Sequence, residues 1–154
     1  MTVLKAGDKA PDFSGINQDG KEIKLSDFAG KKLILYFYPK DDTPGCTAES
    51  CNLNDNYDLW LEKGFEVVGV SPDSVESHQK FRNKFGLKFD LIADTEKEIL
   101  QAYGAWGEKS MFGKKYMGVL RTTFVIDANG IIQQVFENVK TKDHSNQIFK
   151  SINL

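Results

Sequence analysis

Only two cysteines occur in the 154 residues, Cys46 and Cys51, so a disulfide framework is excluded as the source of stability, and a chain of this length does not need one. No run approaches 18 apolar residues, which removes a membrane-spanning helix from consideration. The opening Met1-Thr2-Val3-Leu4-Lys5 turns polar at once, without the apolar stretch of a signal peptide. A soluble, cytoplasmic protein is the resulting expectation. Basic excess is also missing: the formal net charge is -2, and no cluster of lysines and arginines marks a nucleic-acid or anionic membrane surface. The two histidines, His78 and His144, stand far apart, and Cys-x4-Cys is not a usual ligand spacing. No metal site and no cofactor are therefore expected. Several glycines lie between Gly104 and Gly118, but no Gly-Lys-Ser/Thr accompanies them, so there is no phosphate loop.

What is present is a core. Hydrophobic residues make up 40% of the chain, with eleven phenylalanines, which is too apolar for disorder. Residues 1–154 read as one domain, without repeats or linkers. Asp19-Gly20 sits between short flanks as a hairpin turn. Ser26 to Gly30 reads as a single helical turn. Leu33 to Tyr38 is a continuous apolar run of strand length, the pattern of a strand covered on both faces. From Cys46 to Glu62 the period changes to 3.6, with Leu53, Tyr57, Trp60 and Leu61 on one side and Gly64 as the stop. Strands follow at 65–70, 89–92 and 122–126, with helices at 75–85, 96–103 and 143–152. Asp127 to Gly130 turns into a last strand at 131–136. The stretch 104–120 has no clear period and reads as a long loop or an irregular hairpin, with Trp106 and Met111 as core or lip residues. Alternating strands and helices followed by a hairpin and a helix describe an α/β fold, a mixed central sheet with helices on both faces.

Cys46 falls just after the central strand and at a helix start, preceded by Asp41-Asp42-Thr43-Pro44-Gly45. Ligands of open α/β sheets gather beyond the carboxyl ends of the strands, where this loop lies. A thiol in the first helical turn meets unpaired N–H groups and the positive end of the dipole, and both favour the thiolate. Thr43 is placed to cap the helix or to set its hydroxyl against the sulfur. Pro44 suits a helix start, and Gly45 permits close approach of a small substrate. A thiolate that attacks a peroxide becomes a sulfenic acid, and a nearby cation assists that step. Lys40, Arg82 and Arg121 are the candidates; Arg121 stands at a strand end, whereas Arg82 sits inside an ordinary helix. A second thiol at Cys51 would condense with the sulfenic acid, although a helical cysteine is also a common inert core residue. Asp41, Asp42, Glu96 and Glu98 read as turn and helix-start charges, His78 as a packed or surface filler, and His144 as a solvated residue near a helix start.

The segment Phe37-Tyr38-Pro39-Lys40-Asp41-Asp42-Thr43-Pro44-Gly45-Cys46-Thr47-Ala48-Glu49-Ser50-Cys51 resembles the active-site segment of peroxiredoxins of the bacterioferritin comigratory protein, or PrxQ, subfamily. The general motif Pro-x-x-x-Thr-x-x-Cys is matched by Pro39, Thr43 and Cys46. Gly7 to Phe13, Tyr103 to Lys109 and Tyr116 to Gly118 resemble further family segments, so the similarity spans nearly the whole chain. The resemblance implies a thioredoxin-like fold and reduction of hydrogen peroxide and organic hydroperoxides. By the same resemblance Cys46 is the peroxidatic cysteine, Thr43 bonds the bound peroxide, Pro39 shields the pocket and Arg121 is the catalytic arginine. Cys51 corresponds to the resolving cysteine, which would pair with Cys46 in an intramolecular disulfide reduced by thioredoxin or a similar dithiol. The subfamily contains monomers and dimers. A thiol–disulfide oxidoreductase on the same fold is the competing reading, weakened because that class usually carries Cys-x-x-Cys. A non-enzymatic holdase or binding role has no long amphipathic or charged segment behind it.

Overall fold

The computed structural model describes residues 2–152; residues 1, 153 and 154 of the expected domain span lie outside the described residues. Among the described residues, nine strands, five α-helices and one 3-10 turn at Leu25–Phe28 occur; the strands and α-helices follow in the order β1 Ser14–Ile16, β2 Glu22–Lys24, β3 Lys32–Phe37, α1 Pro44–Asp55, α2 Tyr57–Glu62, β4 Phe65–Ser71, α3 Val75–Phe85, β5 Asp90–Ala93, α4 Glu98–Ala102, β6 Trp106–Met111, β7 Lys114–Val119, β8 Thr122–Ile126, β9 Ile132–Phe136 and α5 His144–Ser151. The central sheet runs β5-β4-β3-β8-β9. Its β3–β4 and β4–β5 pairs are parallel, and its β3–β8 and β8–β9 pairs are antiparallel. The mixed sheet expected from the sequence is therefore present.

Strand β3 explains why its sequence does not alternate. Leu33, Leu35 and Phe37 point into one apolar cluster, with Val68, Val70, Phe124, Ile99, Leu100 and Tyr103. Ile34, Tyr36 and Tyr38 point into the other, with Cys46, Leu53, Trp60, Phe81 and Ile148. A strand buried on both faces must be apolar at every position. Trp60 locks the second cluster: its ring stacks on Phe149 at 4.2 Å and meets Phe65 edge-on at 5.2 Å. No helix among the described residues is long and apolar enough to cross a membrane.

Two expected elements differ in detail, and a third settles on one of its two alternatives. The single helix over 46–62 starts at Pro44 and divides at Asn56, whose side-chain amide donates to the Asn52 carbonyl. Leu61 is thereby turned outward to 44% exposure, not inward as its spacing suggested. The helix expected over 96–103 begins at Glu98, because Lys97 takes a left-handed conformation at φ 60 and the Asp94 carboxylate accepts the Ile99 and Leu100 N–H groups. The stretch without a clear period is the β6–β7 hairpin. Its polar strands and exposed Met111, Phe112 and Met117 give no buried face for a period to register. Met111 belongs to this exposed hairpin, whereas Trp106 packs against the core.

Gly69 lets β4 pass under an aromatic ring. A Cβ there would stand 2.8 Å from Tyr36 Cζ and 2.9 Å from Leu91 Cδ2, contacts that force buried side chains off their rotamers. Gly69→Ala should lower stability by about 1–3 kcal/mol, read as a reduced urea midpoint at unchanged slope.

Candidate active site

The β3–α1 loop and the start of β8 come together because β3 and β8 are antiparallel neighbours, with Phe37 opposite Thr122. The residue before Thr122 is Arg121, and the helix that follows β3 carries Cys46 in its first turn. Arg121 Nη2 donates to Cys46 Sγ at 3.3 Å, and Nη1 donates to Glu49 Oε1 at 2.7 Å. Of the three cations considered, Arg121 is the one at the thiol. Arg82 instead donates to the Phe89 carbonyl, and Lys40 is exposed. Cys46 is 1% exposed and Glu49 is 0% exposed.

Thr43 occupies the N-cap position of α1 without a side-chain cap bond. Its hydroxyl donates to the Lys40 carbonyl at 2.8 Å, which leaves the oxygen lone pairs as acceptors, so it neither caps the helix nor bonds the sulfur. The first-turn N–H groups of Gly45 and Cys46 have no helical partner and no capping side chain. Gly45 lies against the arginine, where an added Cβ would meet Arg121 Nη2 at 3.2 Å. Pro39 is half-buried at the end of β3, and Cys51 is half-buried on α1. Both cysteines are free thiols. Burial, and then the Asp55 charge, push the Cys51 thiol up from its ordinary value.

Glu49 was not among the residues expected at the site. The signal was its spacing: three positions after Cys46, it falls on the same helix face. Burial pushes its carboxyl up to about 7, and the Arg121 charge offsets this only in part. Burial pulls the Arg121 guanidinium down, and the charges of Glu49 and Cys46 more than reverse this. Glu49 Oε2 has no hydrogen-bond partner and lies 3.7 Å from His144 Nε2.

His144 was expected in solvent; it is 0% exposed. The first residue of α5 turns inward because both ring nitrogens find partners there: Nε2 with the Thr123 hydroxyl at 2.8 Å and Nδ1 with Gln147 Oε1 at 2.9 Å. Burial pulls its pKa down to about 4. Asp41 was read as a turn charge, yet it is buried and bonded to Tyr38, Ser77 and His78. Asp42 is the exposed turn charge expected, paired with Lys84 at 2.8 Å. Asp41, Asp73 and His78 bring ligand-type atoms within 4.8 Å of one another, and hydrogen bonds occupy each of those atoms.

A sheet of this order, with a buried thiol opening the helix after its central strand, defines a thioredoxin-fold protein of the thiol-dependent class. The chain belongs to the AhpC/TSA family, whose model matches residues 6–135. It is 46% identical to peroxiredoxin Bcp of Escherichia coli over 144 residues, 94% of this chain and 92% of that protein. Peroxiredoxin Bcp of Bacillus subtilis is 45% identical over 142 residues, 92% of this chain and 90% of that one. Among solved structures, the bacterioferritin comigratory protein of Xanthomonas campestris, described for its alkyl peroxide reduction activity, superposes with a TM-score of 0.87 at 32% identity, covering 99% of this chain and 98% of that chain.

The opposed shifts of Glu49 and His144 make a testable pair. Glu49 is raised, so the stability it contributes is full below about pH 4.5 and is lost as pH rises to about 7. His144 is depressed, so its contribution is full above about pH 6.5 and is lost as pH falls to about 4. In the unaltered protein these slopes oppose one another. Glu49→Gln should leave a stability that climbs between pH 4 and 6.5, and His144→Gln one that declines between pH 4.5 and 7. Urea titrations across that range give the slopes directly; equal slopes in both variants would contradict the assignment.

Proposed function

We propose that this chain, a thiol peroxidase of the peroxiredoxin type, attacks hydroperoxides with Cys46 and resolves the product with Cys51. The observation that carries the reading is the Arg121 guanidinium held 3.3 Å from the buried Cys46 sulfur at a helix start. The Cys46 thiolate attacks the terminal oxygen of the hydroperoxide. An S–O bond forms as the O–O bond breaks, leaving a sulfenic acid on Cys46 and an alkoxide, or hydroxide, that takes a proton from solvent. Arg121 faces the charge as it moves from sulfur to the leaving oxygen, an interaction that strengthens in the transition state. The Thr43 oxygen accepts a hydrogen bond from the peroxide O–H, the free N–H groups of Gly45 and Cys46 face the substrate oxygens, and Pro39 keeps water from the pocket. The Cys51 thiol then displaces water from the sulfenic acid to give a disulfide, which thioredoxin or a similar dithiol reduces. Organic hydroperoxides fall within the substrate range, in keeping with the alkyl peroxide activity of the Xanthomonas relative. The whole span 1–154 acts as one domain. A cytoplasmic location and a monomeric state, with a dimer as the alternative, complete the reading.

Disulfide formation requires α1 to open. Cys46 and Cys51 lie on one continuous helix, Pro44–Asp55. Five helical steps place their Cα atoms roughly 8–9 Å apart and their side chains about 140° apart around the axis. A disulfide needs Cα atoms within about 7 Å and Cβ vectors that face one another. Helix ends fray readily, and opening also brings the sulfurs within reach of a reductant thiolate.

Reduced protein should consume peroxide, and Cys46→Ser should abolish this. Arg121→Ala should slow pre-steady-state oxidation by roughly a hundredfold or more, and Arg121→Lys should remain impaired because it lacks the planar fork. An unaltered oxidation rate in Arg121→Ala would refute its role. Peroxide-treated protein should carry an intramolecular Cys46–Cys51 link by mass mapping, with hydrogen exchange raised over residues 46–52. A link formed at unchanged protection would refute the opening, and absence of the link within monomers would remove Cys51 from the reaction.

A further inference from the structure

Asp41 lies in the loop joining β3 to α1, two residues before Thr43, and is held from several sides. Its carboxylate accepts from the Tyr38 hydroxyl at 2.6 Å, the Ser77 hydroxyl at 2.8 Å and His78 Nδ1 at 2.7 Å. Its backbone N–H donates to Asp73 Oδ2 at 2.9 Å. The other ring nitrogen of His78 faces the Ile92 carbonyl at 2.9 Å. Each ring nitrogen of His78 is thus engaged, one by the Asp41 carboxylate and the other by the Ile92 carbonyl, which fixes the imidazole between the loop and β5. The His78–Asp41 pair is sealed from water, with side-chain exposures of 0% and 4%.

We propose that the buried Asp41–His78 pair is a latch that holds the Cys46-bearing turn closed, making both residues positioning residues for peroxide attack and brakes on disulfide formation. The inference rests on the thiol peroxidase reading above. Its ground is what fixes the start of α1. No side chain caps that helix, so its first turn takes its place from the loop before it. That loop passes through Asp42 in a left-handed conformation, φ 57, which few residues other than glycine adopt. It is tied to α3 on both counts, through Asp41 to Ser77 and His78 and through Asp42 to Lys84. Thr43 in turn is bonded back to the Lys40 carbonyl. Unwinding the first turn of α1 draws Asp41 away from Ser77 and His78 and breaks hydrogen bonds made in a region sealed from water, so the pair stabilises the closed form alone. Closing favours oxidation, which needs Thr43, Arg121 and Cys46 in register, and opposes resolution, which needs the turn open.

Opposite effects on the two chemical steps distinguish a latch from a general structural support. In Asp41→Asn, stopped-flow oxidation by hydrogen peroxide should slow by roughly tenfold, as expected for small misplacement of a reacting group. Conversion of sulfenic acid to disulfide, followed in the same traces and by timed alkylation, should become faster than in the wild type. Hydrogen exchange over residues 41–50 of the reduced protein should rise. Ser77→Ala removes one donor to Asp41 and leaves the Asp41–His78 contact in place; it should shift each quantity in the same direction by less, and it keeps the test decisive should Asp41→Asn fold poorly. Slowing of both steps together, or unchanged rates with unchanged exchange, overturns the latch. Failure of peroxide to oxidise Cys46 in the wild type would overturn the peroxidase reading instead, and the exchange of the variants would still decide whether the pair holds the turn.

Discussion

The forked bond from Arg121 to Cys46 and Glu49 joins two parts of the chain that lie 75 residues apart at the thiol, and the site has no meaning without it. A guanidinium can address a sulfur and a carboxylate at once because its N–H groups diverge in a fixed plane. The fork is aimed by the β3–β8 register, in which Phe37 stands opposite Thr122. A slip of one residue in that pairing would turn every side chain at the start of β8 to the opposite face. The central sheet thus serves the chemistry through alignment as well as burial.

Behind the fork, Glu49 sits with one oxygen on Arg121 and the other without a partner, facing His144. In a region this dry, the Glu49 carboxyl and the Cys46 sulfur share one cation. Raising the Glu49 carboxyl to about 7 keeps part of its population neutral near neutral pH. The guanidinium charge then falls more fully on the sulfur. His144, kept neutral by burial, adds no second cation there.

Much of the fold was legible because burial on both faces of the sheet writes itself as apolar runs: Leu33 to Tyr38 and Thr122 to Ile126 carry their own assignment. The β6–β7 hairpin was legible only as one of two alternatives, since most of its side chains are exposed and no face need be apolar. The break at Asn56 was missed because the 3.6 period persists through it, while a side-chain bond to Asn52 redirects the chain. At the site, Cys46, Thr43 and Arg121 could be placed from local chemistry and resemblance. Glu49, His144, Asp41 and His78 could not, because their roles depend on partners brought by other elements. A histidine at a helix start reads as solvated until one knows that Thr123 and Gln147 await it.

The attack and resolution steps proposed above would set contrary demands on α1, and the bonding along that helix differs between its two halves. Its first turn carries Cys46 and lacks a side-chain cap. Further along, Ser50 shares a hydrogen bond with the buried Tyr36 hydroxyl at 2.8 Å. Asn52 accepts from the Ser145 backbone at 2.7 Å and donates to the Lys142 carbonyl, and Leu53 is fully buried. These contacts fasten the helix to β3 and α5 from residue 50 onward, whereas the turns before Ser50 are held by the Arg121 fork and by the loop that precedes the helix. Cys51 lies at that boundary. On the proposed resolution step, Cys51 would stay tethered to the fixed part of the helix while Cys46 moved with the opened turn, and the two sulfurs would meet without loosening the core beneath them.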